Sequence, residues 1–310
     1  MIKLKKVFTR ILFIILLIVV YIYRSEIVSF TINTVTDHIA VEAPNDNNYK
    51  KDYNFMLVQN TSNYHAENKQ DILNIIYTVL NSGENNFTFY CAKDYSSCLN
   101  DIKDISENQN LLSTINNMVS PYNSYEKLYI TTTTYGKANI TIDKLYTGEE
   151  ISNINNKIEQ IKSEIITDNM SSKDKLLAYH DYLVNNTVYD EARAEDIKMN
   201  NDQNNSNNSH KATGPLFEGI ALCSGYSDAM KIFIDQLNIP NYKVSTQNHV
   251  WNALYLDNNW LHIDLTWDDP VTSNHSNVLL HNYFLIDTNA LLSLDMTSHN
   301  FNKEYYPELN

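Results

Sequence analysis

"GIALCSGYSDAMKIFIDQLNIP" (residues 219–240) and, after a gap of eight residues, "HVWNALYLDNNWLHIDLTWDDP" (249–270) are the stretches whose reading decides the fold. In the first, small residues give way at Cys223 to Tyr226, Met230, Phe233, Ile234 and Leu237 at helical spacing, and Pro240 ends the pattern. Cys223 thus opens an amphipathic helix, where unpaired N–H groups and the macrodipole favour a thiolate. Gly219 and Gly225 flank it and leave room for another backbone to approach. The competing reading is a buried structural thiol, since free cysteines are often core residues.

The second stretch reads as two β-runs around an Asp257-Asn258 turn. That register pairs Leu256 with Asn259 and Trp251 with Asp264. His249 then lies two residues along the same face, roughly 7–8 Å away on the diagonal. A turn at Asn258-Asn259 keeps both on one face but farther apart, so a bulge would be needed. A thiol at a helix start, a histidine and an orienting carboxylate form the nucleophile–base–orienter set of thiol catalysis. His262 shares the face by parity, so the pattern alone does not choose between the two histidines. Trp251, Trp260 and Trp267 also suit an ordinary aromatic hairpin. As zinc ligands, Cys223, His249, His262 and Asp264 lack the close-spaced pairs of such sites. There is no phosphate-binding glycine loop. No cofactor and no metal are expected.

Taken in order, G-x-x-x-C-x-G-Y, H-x-W-N and W-x-x-x-D-x-T-W resemble the core of the transglutaminase-like superfamily at the short spacing of its compact bacterial members. "KLLAYHDYLVNNTVYD" (175–190) resembles the helix that precedes the cysteine there, and "HNYFLIDTN…SHNF" resembles the closing segment. The likeness covers roughly residues 146 to 301. It implies an α+β fold with a papain-like core, Cys223 as nucleophile, His249 rather than His262 as base, and Asp264 as the orienting acid. Animal members use a tryptophan upstream of the cysteine as oxyanion donor; none stands there in this chain. Tyr189 is the candidate for that role, beside the backbone N–H of Cys223. Calcium dependence is not implied, because the acidic sites of those members have no match. The implied chemistry is attack on a carboxamide or peptide carbonyl, leaving a thioester. An amine then gives transglutaminase-like acyl transfer, and water gives a cysteine protease or amidase. A non-catalytic anchored binding protein with an idle site is the alternative from another class.

The rest of the chain sets the context. Its 310 residues leave room for about two domains. The net charge of −14 argues against a nucleic-acid partner. "MIKLKKVFTRILFIILLIVVYIYR" places Lys3, Lys5, Lys6 and Arg10 ahead of an apolar run from Ile11 to Tyr23. Counted from Val7, the stretch reaches roughly 26 Å, the short limit for a bilayer, with Arg10 and Arg24 able to snorkel. Residues 1–26 are therefore expected to form an uncleaved single-pass membrane anchor, with the remainder outside the cytoplasm. The alternative is a secreted protein with a cleaved leader, although no small-x-small site follows the run. Residues 27–51 read as a polar stalk, 52–146 as a small α/β accessory domain and 147–310 as the catalytic domain. Substrates would be proteins or peptides at the cell surface or wall. Cys91 and Cys98 are expected to form a disulfide, as befits an oxidising compartment, with two free thiols the alternative.

Within the accessory unit, "YNFMLVQNT" reads as a strand, "ENKQDILNIIYTVLNSG" as a helix closed by Gly83, and "NFTFYCA" as a second strand. "KLYITTTTYGKANITIDKLY" reads as a hairpin turning near Tyr135-Gly136. Thr147 with Glu150 and Ser171 with Asp174 are capping-box patterns opening two helices. "MNNDQNNSNNSH" (199–210) is polar low complexity, read as a loop just upstream of the cysteine.

Overall fold

A computed structural model describes residues 2–24, 26–27, 39–200, 207–271 and 278–310. The first helix, α1 (Ile2–Ile22), leaves its apolar side chains from Val7 onward exposed. No helix among the described residues is long and apolar enough to cross a membrane. The expected anchor is therefore not met as an uninterrupted span: Lys5, Lys6 and Arg10 occupy the first half of α1. Residues 28–38 of the expected stalk lie outside the described residues. Its far end is not free: Asn47 N–H donates to the Ser82 carbonyl (3.2 Å) and Lys51 N–H to Asn81 Oδ1 (3.0 Å).

The accessory unit comprises β1 (His65–Ala66), α2 (Lys69–Ser82), β2 (Asn86–Cys91), α3 (Cys98–Glu107), α4 (Gln109–Met118), β3 (Tyr125–Thr132) and β4 (Lys137–Lys144). Its sheet runs β1-β2-β4-β3. Helix α2 stops at Gly83, whose φ of 79° is the left-handed cap that a side chain disfavours. No strand forms over 53–61. Phe55 and Val58 turn their side chains into the core, and Phe55 N–H donates to the Val58 carbonyl (2.9 Å). Asn60 meanwhile spends its amide on the carbonyls of Lys51 and Tyr53. Cys91 and Cys98 are bonded, Cα to Cα 5.9 Å, which ties the end of β2 to the start of α3.

Two capped helices follow, α5 (Gly148–Ile165) and α6 (Ser172–Asn186), each opened by the expected capping box. Next come β5 (Val188–Tyr189), α7 (Glu191–Asn200), β6 (Ile220–Ala221) and α8 (Cys223–Gln236). A second, antiparallel sheet in the order β10-β9-β8-β7 is built from β7 (Asn241–Ser245), β8 (Val250–Leu256), β9 (Asn259–Ile263) and β10 (Phe284–Ile286). One-turn α9 (Leu265–Asp268), α10 (Thr288–Leu294) and α11 (Met296–His299) complete the chain. The fold mixes helix and sheet. Tyr179 of α6 stacks on Phe233 of α8 (4.0 Å), so the two helices share a core under the second sheet. A second core runs from Ile72 and Ile115 of the accessory unit to Tyr242, Val244 and Trp251, continuous across the expected boundary near 146.

Candidate active site

Cys223 is the first residue of α8, preceded by Leu222 as N-cap in extended conformation. The buried face of α8 includes Tyr226, Met230, Phe233 and Ile234, so the helix start is held by the core while the Cys223 thiol is half-buried. Gly225 is required by a close approach. A Cβ there would come within 2.4 Å of the Ser209 carbonyl, which accepts Leu222 N–H (2.8 Å). The end of the polar loop before the cysteine is thus packed rather than free: Asn208–His210 forms a short 3-10 turn with Ser209 buried. Residues 201–206 of that loop lie outside the described residues.

Strands β8 and β9 form the hairpin expected from the Asp257-Asn258 turn, both residues at positive φ (50° and 64°). Leu256 pairs Asn259 and Ala253 pairs His262. Continuing that register sets Asp264, just after β9, opposite Trp251, so His249, just before β8, meets it on the diagonal of the same face. The His249 Nε2–Asp264 Oδ2 separation is 2.5 Å. Nε2 is committed to Asp264, and Cys223 lies near enough to favour the charged imidazole. Burial alone would disfavour the imidazolium, but the Asp264 carboxylate, joined by Cys223, raises His249 to about 10. Burial would likewise raise Asp264; its contacts with His249 and His299 instead hold it well below the usual carboxylate range.

Asp264 is more than an orienter of His249. It is the N-cap of α9, its Oδ1 accepting the N–H groups of Thr266 (3.0 Å) and Trp267 (3.4 Å). Its Oδ2 takes a second imidazole, His299 Nε2 at 2.9 Å, and His299 Nδ1 reaches the Asp295 carbonyl (3.0 Å). His299 is buried between Trp251 and Tyr283. Its one mark in the sequence is its place in "SHNF", and no local spacing links it to a carboxylate 35 positions earlier.

His262 shares the hairpin face as parity requires, but it lies behind Trp251. Its Nδ1 accepts the Trp251 indole N–H (3.0 Å), and its Nε2 contacts Thr288 Oγ1 (3.1 Å). It is fully buried, and burial with the neighbouring His299 lowers it to about 3. It is a neutral core acceptor with no path to the thiol. Tyr189 pairs with Ala221 across β5 and β6, two residues before Cys223. Burial first, then the Cys223 charge, push its phenol up to about 12, so the hydroxyl stays protonated beside the site. Three further contacts lock the platform. The Asn252 amide donates to the Ser227 carbonyl (2.9 Å), and Lys243 and Tyr146 both donate to buried Asp228 (2.5 and 2.7 Å).

No protein-family model matches the chain, and no curated protein matches it. Among solved structures, it is similar to one described as a TGase, a transglutaminase. There the identity is 19% and the TM-score 0.34, over 49% of this chain and 48% of that one. It is also similar to a candidate cysteine protease from Cytophaga hutchinsonii, at 12% identity and TM-score 0.24 over 45% of this chain and 61% of that one. The chain therefore spans about half and about three-fifths of the lengths of those two proteins.

Proposed function

We propose that this protein is a thiol enzyme of transglutaminase-like type that transfers the acyl group of a carboxamide or peptide through a Cys223 thioester. The observation that carries the reading is the junction of His249 with Asp264 at 2.5 Å, on a hairpin packed beside the helix that Cys223 opens, with Cys223 among the groups that act on the imidazole. In the resting site the imidazolium favours the thiolate of Cys223. The thiolate attacks the carbonyl carbon, and the carbonyl oxygen gathers negative charge. The backbone N–H of Cys223, at a helix end without intrahelical partners, and the Tyr189 hydroxyl are the donors offered to that oxygen. His249 gives its proton to the departing nitrogen, the C–N bond breaks, and ammonia or an amine leaves. An incoming amine or water then loses its proton to His249, attacks the thioester carbonyl and frees the thiolate. Asp264 holds the imidazole in the required tautomer throughout.

Acyl transfer to an amine and hydrolysis by water diverge only at the last step. The separating experiment supplies the purified chain with a labelled primary amine and a mixture of cell-surface proteins, and reads the products by mass. Amine adducts on glutamine support the transferase. Deamidated or cleaved products alone make it an amidase or protease. If Cys223→Ala gives the same products as wild type, the site is idle and the anchored binding protein takes the lead.

The same reading places the catalytic part outside the cytoplasm, at the cell surface. Its support is the basic cluster ahead of the apolar part of α1, together with the Cys91–Cys98 disulfide. Anchoring then relies on Lys6 and Arg10 snorkelling to the interface. Proteolysis of intact cells should release the soluble part and leave a short membrane stub; a protein recovered whole from the cytoplasm would refute the placement.

A further inference from the structure

Outside the Cys223 site, a second set of ligating side chains converges from two segments 100 positions apart. His180, wholly buried on α6, sets Nδ1 3.0 Å from Asp181 Oδ1. His281 Nε2 approaches the same carboxylate oxygen at 2.7 Å. These three ligand atoms lie within 4.8 Å of one another. We propose that His180 Nδ1, Asp181 and His281 Nε2 form a binding site for a divalent transition ion of the zinc class.

The donor set selects the ion. Two imidazoles and one carboxylate suit zinc and its first-row neighbours, whereas calcium and magnesium take oxygen ligands. The spacing is close to what such an ion needs. Tetrahedral zinc with bonds of about 2.0–2.1 Å holds neighbouring ligand atoms about 3.3 Å apart, so the pairs must open by a few tenths of an ångström. An independent feature points the same way. His180 Nε2 faces Asp268 Oδ2 at 3.1 Å, and Asp268 is itself wholly buried and accepts Tyr283 N–H. An ion at Nδ1 would displace the proton that nitrogen shares with Asp181, while the buried Asp268 carboxylate holds Nε2–H, the outer-shell arrangement of histidine metal ligands. On the other side, the side chains of Asp181 and His281 are 33% and 44% exposed, which gives an ion an entrance and water a place as fourth ligand.

The site is coupled in space to the catalytic acid. Asp268 closes the single turn that Asp264 opens, and its N–H donates to the Asp264 carbonyl (3.2 Å). Asp264 N–H in turn donates to the Tyr283 carbonyl (3.0 Å), two residues from His281. A bound ion thus braces α6 against the segment that clasps Asp264. It acts as a structural clasp, and it stands whether or not Cys223 reacts.

The test uses the full chain carrying Cys223→Ala, so that the thiol takes no metal, stripped with chelator and titrated with zinc chloride by calorimetry and thermal unfolding. One equivalent should bind and raise Tm, because an ion that binds only the folded state stabilises it by mass action. Asp181→Asn, at a half-buried position, and His281→Ala, at an exposed one, should each weaken binding by at least about tenfold. His299→Gln should leave binding unchanged. Three results overturn the assignment: no zinc uptake, uptake at unchanged affinity in both variants, or uptake abolished by His299→Gln, which would put the ion beside His249 and Asp264 instead.

Discussion

Replacing the Asp264 carboxylate by its amide isolates what the charge does. Asp264→Asn keeps the size and the capping ability that α9 requires, since asparagine caps helices as well as aspartate. It removes the charge that sustains the His249 imidazolium against burial. The rise of His249 from 6.5 to about 10 corresponds to roughly 5 kcal/mol at ~1.36 kcal/mol per pH unit. His249 is nearly buried, its side chain 9% exposed, so little of this is lost to solvent screening. The sign follows from the direction. A histidine raised in the folded state contributes stability that is fully present below pH 6.5 and lost as pH rises through about 10. Wild type should therefore lose stability steadily between pH 7 and 10, and Asp264→Asn should be less stable at neutral pH but much flatter over that window. Urea unfolding at each pH measures this, and NMR of the labelled imidazole should show His249 titrating several units lower in the variant. Activity at pH 7 should fall by the order of 10³–10⁴-fold, as for the orienting acid of a related triad. An unchanged His249 titration together with an unchanged pH slope would refute the assignment of Asp264 as its charge partner.

Cys223→Ala should abolish turnover while leaving urea unfolding near wild type, because the half-buried thiol supports none of the core; residual turnover by mass analysis would move the nucleophile elsewhere. His262→Ala leaves the Trp251 indole N–H without its acceptor, costing about 1–3 kcal/mol of stability, yet kcat of the folded protein should hold. A loss of kcat matching that of His249→Ala would make His262 the base. His299→Gln removes one of two imidazoles on Asp264, and a lost bond to a charged group predicts a kcat drop of roughly 10–100-fold with KM little changed. Steady-state kinetics at wild-type level would show that His299 only packs. Joint replacement of Cys91 and Cys98 by alanine opens a short loop and should cost roughly 2–3 kcal/mol in unfolding experiments, with kcat intact. No shift in the urea midpoint would mean the bridge contributes nothing.

What the chain disclosed by itself was what local periodicity encodes. The β8–β9 hairpin was legible because Asp257-Asn258 demands positive φ and the alternation beyond it carries His249 and Asp264 to one face. The start of α8 was legible because its apolar face has a period and Pro240 closes it. The same alternation misled over 53–61. Phe55 and Val58 are buried three apart in an irregular segment whose backbone groups are taken by side chains, among them Asn60 on the Tyr53 carbonyl, Gln70 on the Leu57 carbonyl and Asn74 on Gln59 N–H. Pattern reports which residues are buried there, not which neighbour the backbone finds.

Parity likewise put His249 and His262 on one face without ranking them. The ranking comes from tertiary packing: Trp251 covers His262, whereas His249 stands at the end of the strand where the thiol can reach it. The contacts that hold the proposed site together are longer in range still. His299 reaches Asp264 across 35 positions, and Asp268 meets His180 across 88. Both converge on one turn of helix, α9, whose first cap is the proposed orienting acid and whose last residue anchors the proposed metal clasp. A four-residue helix has too little hydrogen bonding to hold its own shape. Its carboxylates at both ends are therefore fixed from outside, by the imidazoles and the Tyr283 backbone, and those partners are where the geometry at His249 is set.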